Sequence, residues 1–458
     1  MISVNATGCG KGKSTHNQHL IKTNKDTRFL VIVPSKALAD EYGDAGCGTV
    51  IHSSRARDDE TPLQSLNVRQ RIFEAIESNT RVIVITQKAF LDFPNKHLLC
   101  EHRTVLQDEH LEVYYTSPWR MANHMTWLPM FEVALAKVDG WFEVSFNTTV
   151  AQEFLATEDF LDNKQFVEDL LNTPQRIFTN RATLEADSML FRVISPEIYA
   201  GADDVHIACA NFTQTRQHHI WSKLFDAEFQ ISKPFERYMT PNVTVHHAEQ
   251  RCNSKTFNSK NECIRDAVIN YIHAQCSDPV YIDNNANDTQ AGWSRVNHNC
   301  HGINTYRDRK HLAVLSAINY SNLVSTFLHD IVGMSEAEVR NALIGEMAHQ
   351  VVMRGALRTN NDSECHIYLM EAELANYLTS CVFDGATTQA ISSTSRPPKS
   401  PPMTAVERKK ATLLRKRFEH LKDMTGEQLM NDPIWQITNT NGLFLKSYLK
   451  QLNEGAGA

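Results

Sequence analysis

No pair among the ten cysteines has the CxxC spacing, which excludes close-paired zinc knuckles and thioredoxin-like redox centres. Nor does any apolar run reach the length of a bilayer span, so no membrane partner is expected. The N-terminus has neither the basic nor the apolar region of a signal peptide. These absences predict reduced thiols in a cytoplasmic compartment. An excess of positive charge is missing too: 46 Lys and Arg stand against 53 Asp and Glu, for a formal net charge of -7. Any polyanion groove must therefore be local. Glycine is scarce, 18 in 458 residues, yet three fall together at Gly8, Gly10 and Gly12.

Those glycines belong to ATGCGKGKST, residues 6 to 15, directly after the apolar-alternating start MISVNA. The pattern predicts a strand, a tight loop and a helix start, with backbone N–H groups turned toward phosphate oxygens. Gly8, Gly10, Gly12, Lys13, Ser14 and Thr15 are the candidate nucleotide-binding residues. Lys13 would reach the β- and γ-phosphates of ATP, and Ser14 would ligate Mg²⁺. A glycine-rich turn beside a helix without nucleotide is the alternative.

A length of 458 residues and a 42% hydrophobic, 22% charged composition predict two or three globular domains. FLVIVP (29 to 34) and RVIVIT (81 to 86) are continuously apolar and β-branched, as strands of a parallel sheet covered on both faces are. SKALADEY follows the first, with Ser35 as candidate helix cap. TVLQDEH, residues 104 to 110, then delivers Asp108 and Glu109 at the carboxyl end of a strand, where open α/β sheets bind ligands. Asp108 would hold Mg²⁺, and Glu109 would polarise the attacking water. Much later, GEMAHQVVMRGALR (345 to 358) spaces Gln350, Arg354 and Arg358 four apart. On a helix they would form one polar stripe, able to present guanidinium groups to a γ-phosphate, or simply a solvated face. Ser335 and Glu338 form a capping-box pair upstream.

The order of these motifs resembles a superfamily 2 helicase in the broad DEAD/DEAH-like sense, and especially divergent phage and viral replication helicases. ATGCGKGKST resembles motif I, VPSKALADEY motif Ia, VITQKAF motif Ib and LQDEH motif II. VHIACANFT (205 to 213) stands in the place of motif III, PVYIDNNAN (279 to 287) resembles motif IV, and HGINTYRDRKHLAVLSAINYS (301 to 321) resembles motif V, carrying Gly302 and Asn304 as nucleotide-site positions. QVVMRGALR resembles motif VI, with Gln350, Arg354 and Arg358 carried over beside Glu109 as catalytic residues. The resemblance implies an α/β fold of two RecA-like domains that close on ATP and Mg²⁺ and reopen on hydrolysis, stepping along single-stranded or forked nucleic acid, DNA rather than RNA. It implies replication or recombination of a phage-type genome, replication proteins as partners, and the host cytoplasm if the source is viral.

The expected organisation is a first RecA-like domain over 1–240 with an insertion at about 111–204, a second over 241–383, a linker at 384–403 and a basic helical module over 404–458. In the insertion, Tyr114, Tyr115, Trp119 and Trp127 are either base-stacking groups or a small core. The stretch 404–422 sets seven Lys or Arg against two Glu on a helical pattern, as a phosphate-gripping or a docked helix would. Cys252, Cys263, Cys276 and Cys300, with His246, His247, His273, His298 and His301, crowd one region at spacings too irregular for zinc. Only Cys47 and Cys100 separate the phosphate loop from the DE pair, which argues against an iron–sulfur cluster. Two other functions remain open: a nucleotide-switch or remodelling ATPase without unwinding, and an origin-type DNA-binding protein with a vestigial motor.

Overall fold

Seven parallel strands form the first sheet in the computed structural model, which describes residues 1–53, 67–118, 130–136, 138, 140–156, 161–182, 184, 188–250, 262–284, 292–296, 305–317, 320–358 and 363–392. They are β1 (Ile2–Asn5), β2 (Phe29–Val33), β3 (Thr49–Ile51), β4 (Val82–Thr86), β5 (Thr104–Asp108), β11 (Asp204–Ala208) and β12 (Phe229–Lys233), in the order β12-β1-β11-β5-β2-β4-β3. Both apolar runs of the sequence become strands, and β2 is buried along its whole length, as continuous β-branched residues under helices on both faces require. Between strands run α1 (Lys13–Thr23), α2 (Lys36–Asp44), α3 (Val68–Glu77) and α4 (Gln87–Asp92). Ser35 caps α2 by accepting from the Leu38 N–H at 3.3 Å.

Between β5 and β11 the chain builds a second, antiparallel sheet from β6 (Tyr114–Pro118), β7 (Phe131–Leu135), β8 (Phe142–Phe146), β9 (Gln175–Thr179) and β10 (Met189–Ile194), ordered β6-β10-β9-β8-β7. Tyr114, Trp141, Phe178 and Phe191 of this region are buried core, while Tyr115 is half-buried. Tyr114, Trp141, Phe178 and Phe191 surround Phe327, at ring-centroid distances of 5.6, 5.3, 5.6 and 4.7 Å, and Trp141 donates to Asp330 Oδ2 at 3.2 Å. Phe327 and Asp330 come from the helix Asn322–Asp330, far along the chain. Base stacking by Tyr114 is thus excluded, because burial takes both its ring faces out of reach; Trp119 and Trp127 lie outside the described residues.

After β13 (Tyr238–Met239), a third sheet contains β14 (Val243–Ala248), β15 (Val280–Ile282), β16 (Ser294–Arg295), β17 (His311–Val314), β18 (Cys365–Leu369) and β20 (Thr387–Ile391), again all parallel, in the order β16-β15-β17-β18-β14-β20. β19 (Phe383–Asp384) pairs separately with β13. The fold class is the expected one, α/β with two RecA-like parallel-sheet domains and an insertion in the first. One boundary needs correction: the stretch from 384 is not linker throughout, since Thr387–Ile391 hydrogen-bonds along β14 as an edge strand. Its Thr-rich composition marks a strand as well as it marks a loop. The basic stretch 404–422 and the rest of the tail lie outside the described residues.

The helical stripe over Gln350, Arg354 and Arg358 also needs correction. The helix Glu346–Val352 ends before Arg354, and Arg358 closes a short 3-10 turn, Ala356–Arg358. Gly355 explains the break: a Cβ there would meet the Arg309 carbonyl at 2.7 Å, and the next N–H, of Ala356, donates to that same oxygen at 2.9 Å. The helix is given up for a cross-chain contact. Ser335 and Glu338 do form the reciprocal capping box.

Candidate active site

The loop after β1 makes its turn with Gly10 and Gly12 at φ of +75° and +76°, a region that favours glycine. Gly12 precedes the first residue of α1, and no side chain caps the helix. Its first-turn N–H groups, at Lys13, Ser14 and Thr15, therefore have no side-chain acceptor at the cap, the arrangement that suits an anion. Lys13 is buried and holds the loop from below, its Nζ donating to the carbonyls of Thr7 (2.9 Å) and Gly8 (3.0 Å).

Asp108 ends β5 two strands away and is fully buried. It accepts from Tyr42 Oη at 3.0 Å and is hydrogen-bonded to Ser14. Burial, and then the neighbouring Glu109 carboxylate, push its pKa up to about 6. A hydroxyl and a carboxylate joined in this way are hard oxygen donors suited to Mg²⁺. Glu109 follows at φ +71°, a left-handed conformation uncommon outside glycine. Three glutamines pin the backbone around it: buried Gln107 Nε2 donates to the Glu109 carbonyl (2.8 Å), half-buried Gln87 Nε2 to the His110 carbonyl (2.9 Å), and buried Gln217 Oε1 accepts from the Leu111 N–H (2.8 Å).

The late arginine segment reaches this same place. A Cβ on Gly10 would lie 2.8 Å from the Arg358 carbonyl and 3.1 Å from Arg358 Cγ. Gln350 Oε1 accepts from Arg354 Nη2 at 3.3 Å and from the Cys9 thiol at 3.8 Å. Burial, and then the Arg354 guanidinium, lower the Arg358 pKa, while Cys9 and Glu109 lie close enough to oppose the shift. Lys13, Ser14 and Glu109 are thus neighbours of Asp108, Arg354 and Glu109 are neighbours of Arg358, and Gln350 bonds Arg354. Thr15 is exposed at the helix start, and Gly302 and Asn304 lie outside the described residues.

Among solved structures, the chain is similar to one described as XPD_Helicase, at 10% identity over 85% of this chain and 96% of that one, with a TM-score of 0.47. It is similar to S. tokodaii Xpd4, at 12% identity over 85% and 96%, with a TM-score of 0.48. The Mycobacterium smegmatis helicase Lhr bound to ssDNA and AMP-PNP matches at 12% identity over 81% and 44%, with a TM-score of 0.29. No protein-family model and no curated protein matches the sequence. At such identities and scores a shared activity does not follow.

Further residues join the site, one of them from the motif III segment. Tyr238, on the strand leading into the second lobe, lies against Gly8 and accepts from the Cys9 N–H. Asn211, at the place of motif III, donates to Glu346 Oε1 (3.2 Å) and to Tyr377 Oη (3.3 Å), and Tyr377 donates to the same carboxylate oxygen at 2.7 Å. Burial alone would strip His349 of its proton, but Cys9 and Glu346 raise its pKa to about 10. Glu346, His349 and Gln350 sit three and four residues apart on one helix. That spacing was a usable signal; Tyr238 offered none.

Along the same carboxyl edge of the first sheet opens a groove of about 860 Å³. The N-terminal ends of α2 and α3 face it, and Lys36, Arg69 and Lys88 line it. Partial positive charge at the helix starts favours an anion there, although Asp92 also lines the groove and pairs with Lys88 at 2.7 Å, and Arg69 pairs with Glu168 at 3.0 Å.

Proposed function

We propose that this protein is an ATP-dependent helicase or translocase acting on nucleic acid, DNA in preference to RNA. The contact between Arg358 and Gly10 carries the reading: a guanidinium-bearing segment of the second lobe closes directly on the phosphate loop of the first. Neither lobe alone holds both the loop and the arginines. Hydrolysis at such a junction changes lobe contacts, and the groove beside it gives the strand a track.

In this reading Lys13 and the first-turn N–H groups of α1 hold the ATP phosphates, and Ser14 with Asp108 holds Mg²⁺, which supplies charge neutralisation on the phosphate oxygens. Glu109 orients the attacking water. Arg354, held by Gln350, and Arg358 meet the charge that develops on the γ-phosphate. The motif resemblance assigns Gly302 and Asn304, which lie outside the described residues, to the nucleotide site as well. The hydrogen bonds from Asn211 to Glu346 and Tyr377 join the lobes beside the cleft and would pass its closure to the rest of the molecule. The replication or recombination role in a phage-type genome rests on motif order.

The test is ATP hydrolysis with single-stranded DNA, with RNA and with neither, in wild type, Lys13→Ala and Glu109→Gln. Stimulation by DNA, lost in both variants, is expected. Hydrolysis indifferent to both strands would instead make the protein a nucleotide switch or remodelling ATPase.

A further inference from the structure

The ends of β5 and β11 lie side by side, with Asp108 opposite Ala208. The residues that follow, Glu109 and His110 on one strand and Cys209 on the other, leave the centre of the sheet at the same level. A carboxylate oxygen of Glu109, a ring nitrogen of His110 and the Cys209 thiol all lie within 4.8 Å of one another, with Cys209 Sγ 3.9 Å from His110 Nδ1. Two short backbone bonds fix the frame, from the Glu109 N–H to the Ala208 carbonyl (2.9 Å) and from the Cys209 N–H to the Asn5 carbonyl (3.1 Å).

We propose that Glu109, His110 and Cys209 form a site for a borderline-soft divalent cation such as Zn²⁺, and that its occupation inhibits hydrolysis. Bonds of about 2.0–2.3 Å to oxygen, nitrogen and sulfur place donors of one tetrahedral ion roughly 3.5 Å apart. Small side-chain rotations on a fixed backbone bring these three to that spacing. Three protein donors leave a fourth position for water on the cleft side, where Glu109 and His110 are half-buried. Sulfur and imidazole select Zn²⁺ over Mg²⁺, whereas the neighbouring Ser14–Asp108 pair offers only oxygen. Two adjacent cation sites therefore differ in softness. On binding, the Cys209 thiol releases its proton to solvent as the metal–sulfur bond forms. The metal captures the Glu109 carboxylate and withdraws it from water; this inhibitory consequence rests on the function proposed above, the binding itself does not.

The test titrates the full-length protein with Zn²⁺, and separately with Co²⁺, in excess Mg²⁺. Wild type is expected to bind one equivalent more than Cys209→Ser or His110→Asn, or to bind that equivalent roughly tenfold or more tightly. Thiolate-to-Co²⁺ charge-transfer absorption should vanish in Cys209→Ser. Zn²⁺ should inhibit wild-type hydrolysis reversibly on chelation, with sensitivity reduced roughly tenfold in both variants. Equal metal binding by wild type and by either folded variant, checked by circular dichroism, overturns the site. Equal Zn²⁺ inhibition of all three overturns the inhibitory role. A protein that hydrolyses no ATP refutes the motor reading while leaving the binding measurement intact.

Discussion

The Arg358 carbonyl stands where a side chain on Gly10 would have to go, so the second lobe is seated against the glycine-rich loop itself. Gly10→Ala would combine a left-handed φ of +75° with a 2.8 Å contact to that carbonyl. The expected cost is about 1–3 kcal/mol of stability, together with loss of most ATP hydrolysis. Melting temperature and hydrolysis rate measure the two, and a fully active, fully stable variant would refute the contact.

Arg358→Ala should lower kcat by roughly 10²-fold or more while changing KM for ATP little, since the guanidinium acts on charge present only in the transition state. Arg358→Lys should restore only part of it, because a lysine lacks the planar fork. A pure KM effect would assign Arg358 to ground-state binding instead.

Lys36→Glu with Lys88→Glu tests the groove. DNA affinity should fall and its salt dependence flatten, with strand-independent hydrolysis unchanged. Salt-titrated binding by fluorescence anisotropy reads both; an unchanged slope would move the strand elsewhere.

Phe327→Ala removes a ring enclosed by Tyr114, Trp141, Phe178 and Phe191. A destabilisation of about 3–5 kcal/mol is expected from denaturant unfolding. A value below about 1 kcal/mol would mean that the insertion is not anchored there.

His246 supplies a pH dependence. It stacks on His366 and Tyr368, with its Nε2 3.1 Å from His366 Nδ1, and burial, then His366, lower its pKa from 6.5 to about 4. The unfolded chain therefore takes up the proton first. The stability this group contributes is present above pH 6.5 and is lost as the pH falls toward 4, on the order of 1 to 2 kcal/mol at pH 5. His246→Gln should give a shallower decline over that window in urea titrations; an identical slope would refute the assignment.

Much of this molecule was legible in order. The glycine loop, the buried runs of β2 and β4, the capping box at Ser335 and the strand bearing Asp108 follow from local rules of backbone freedom, hydrophobic period and capping. Locality also set the limit. Helical periodicity extended the Gln350 helix through Arg358, but Gly355 packing on Arg309 stopped it, and no residue nearby in sequence announces Arg309. Composition made linker of Thr387–Ile391, although an edge strand needs only a neighbour to pair with, and β14 lies well over a hundred residues earlier.

The chain's own pattern thus determined which segments become strands and helices and which end of each strand carries polar chemistry. Tertiary structure alone decided that Tyr238 and Arg358 rest on the glycine-rich loop, that Asn211 meets Glu346, and that Glu109, His110 and Cys209 come together. The reason is range: backbone propensity acts over a few residues, whereas these contacts exist only after two parallel sheets have folded and their loops share one cleft.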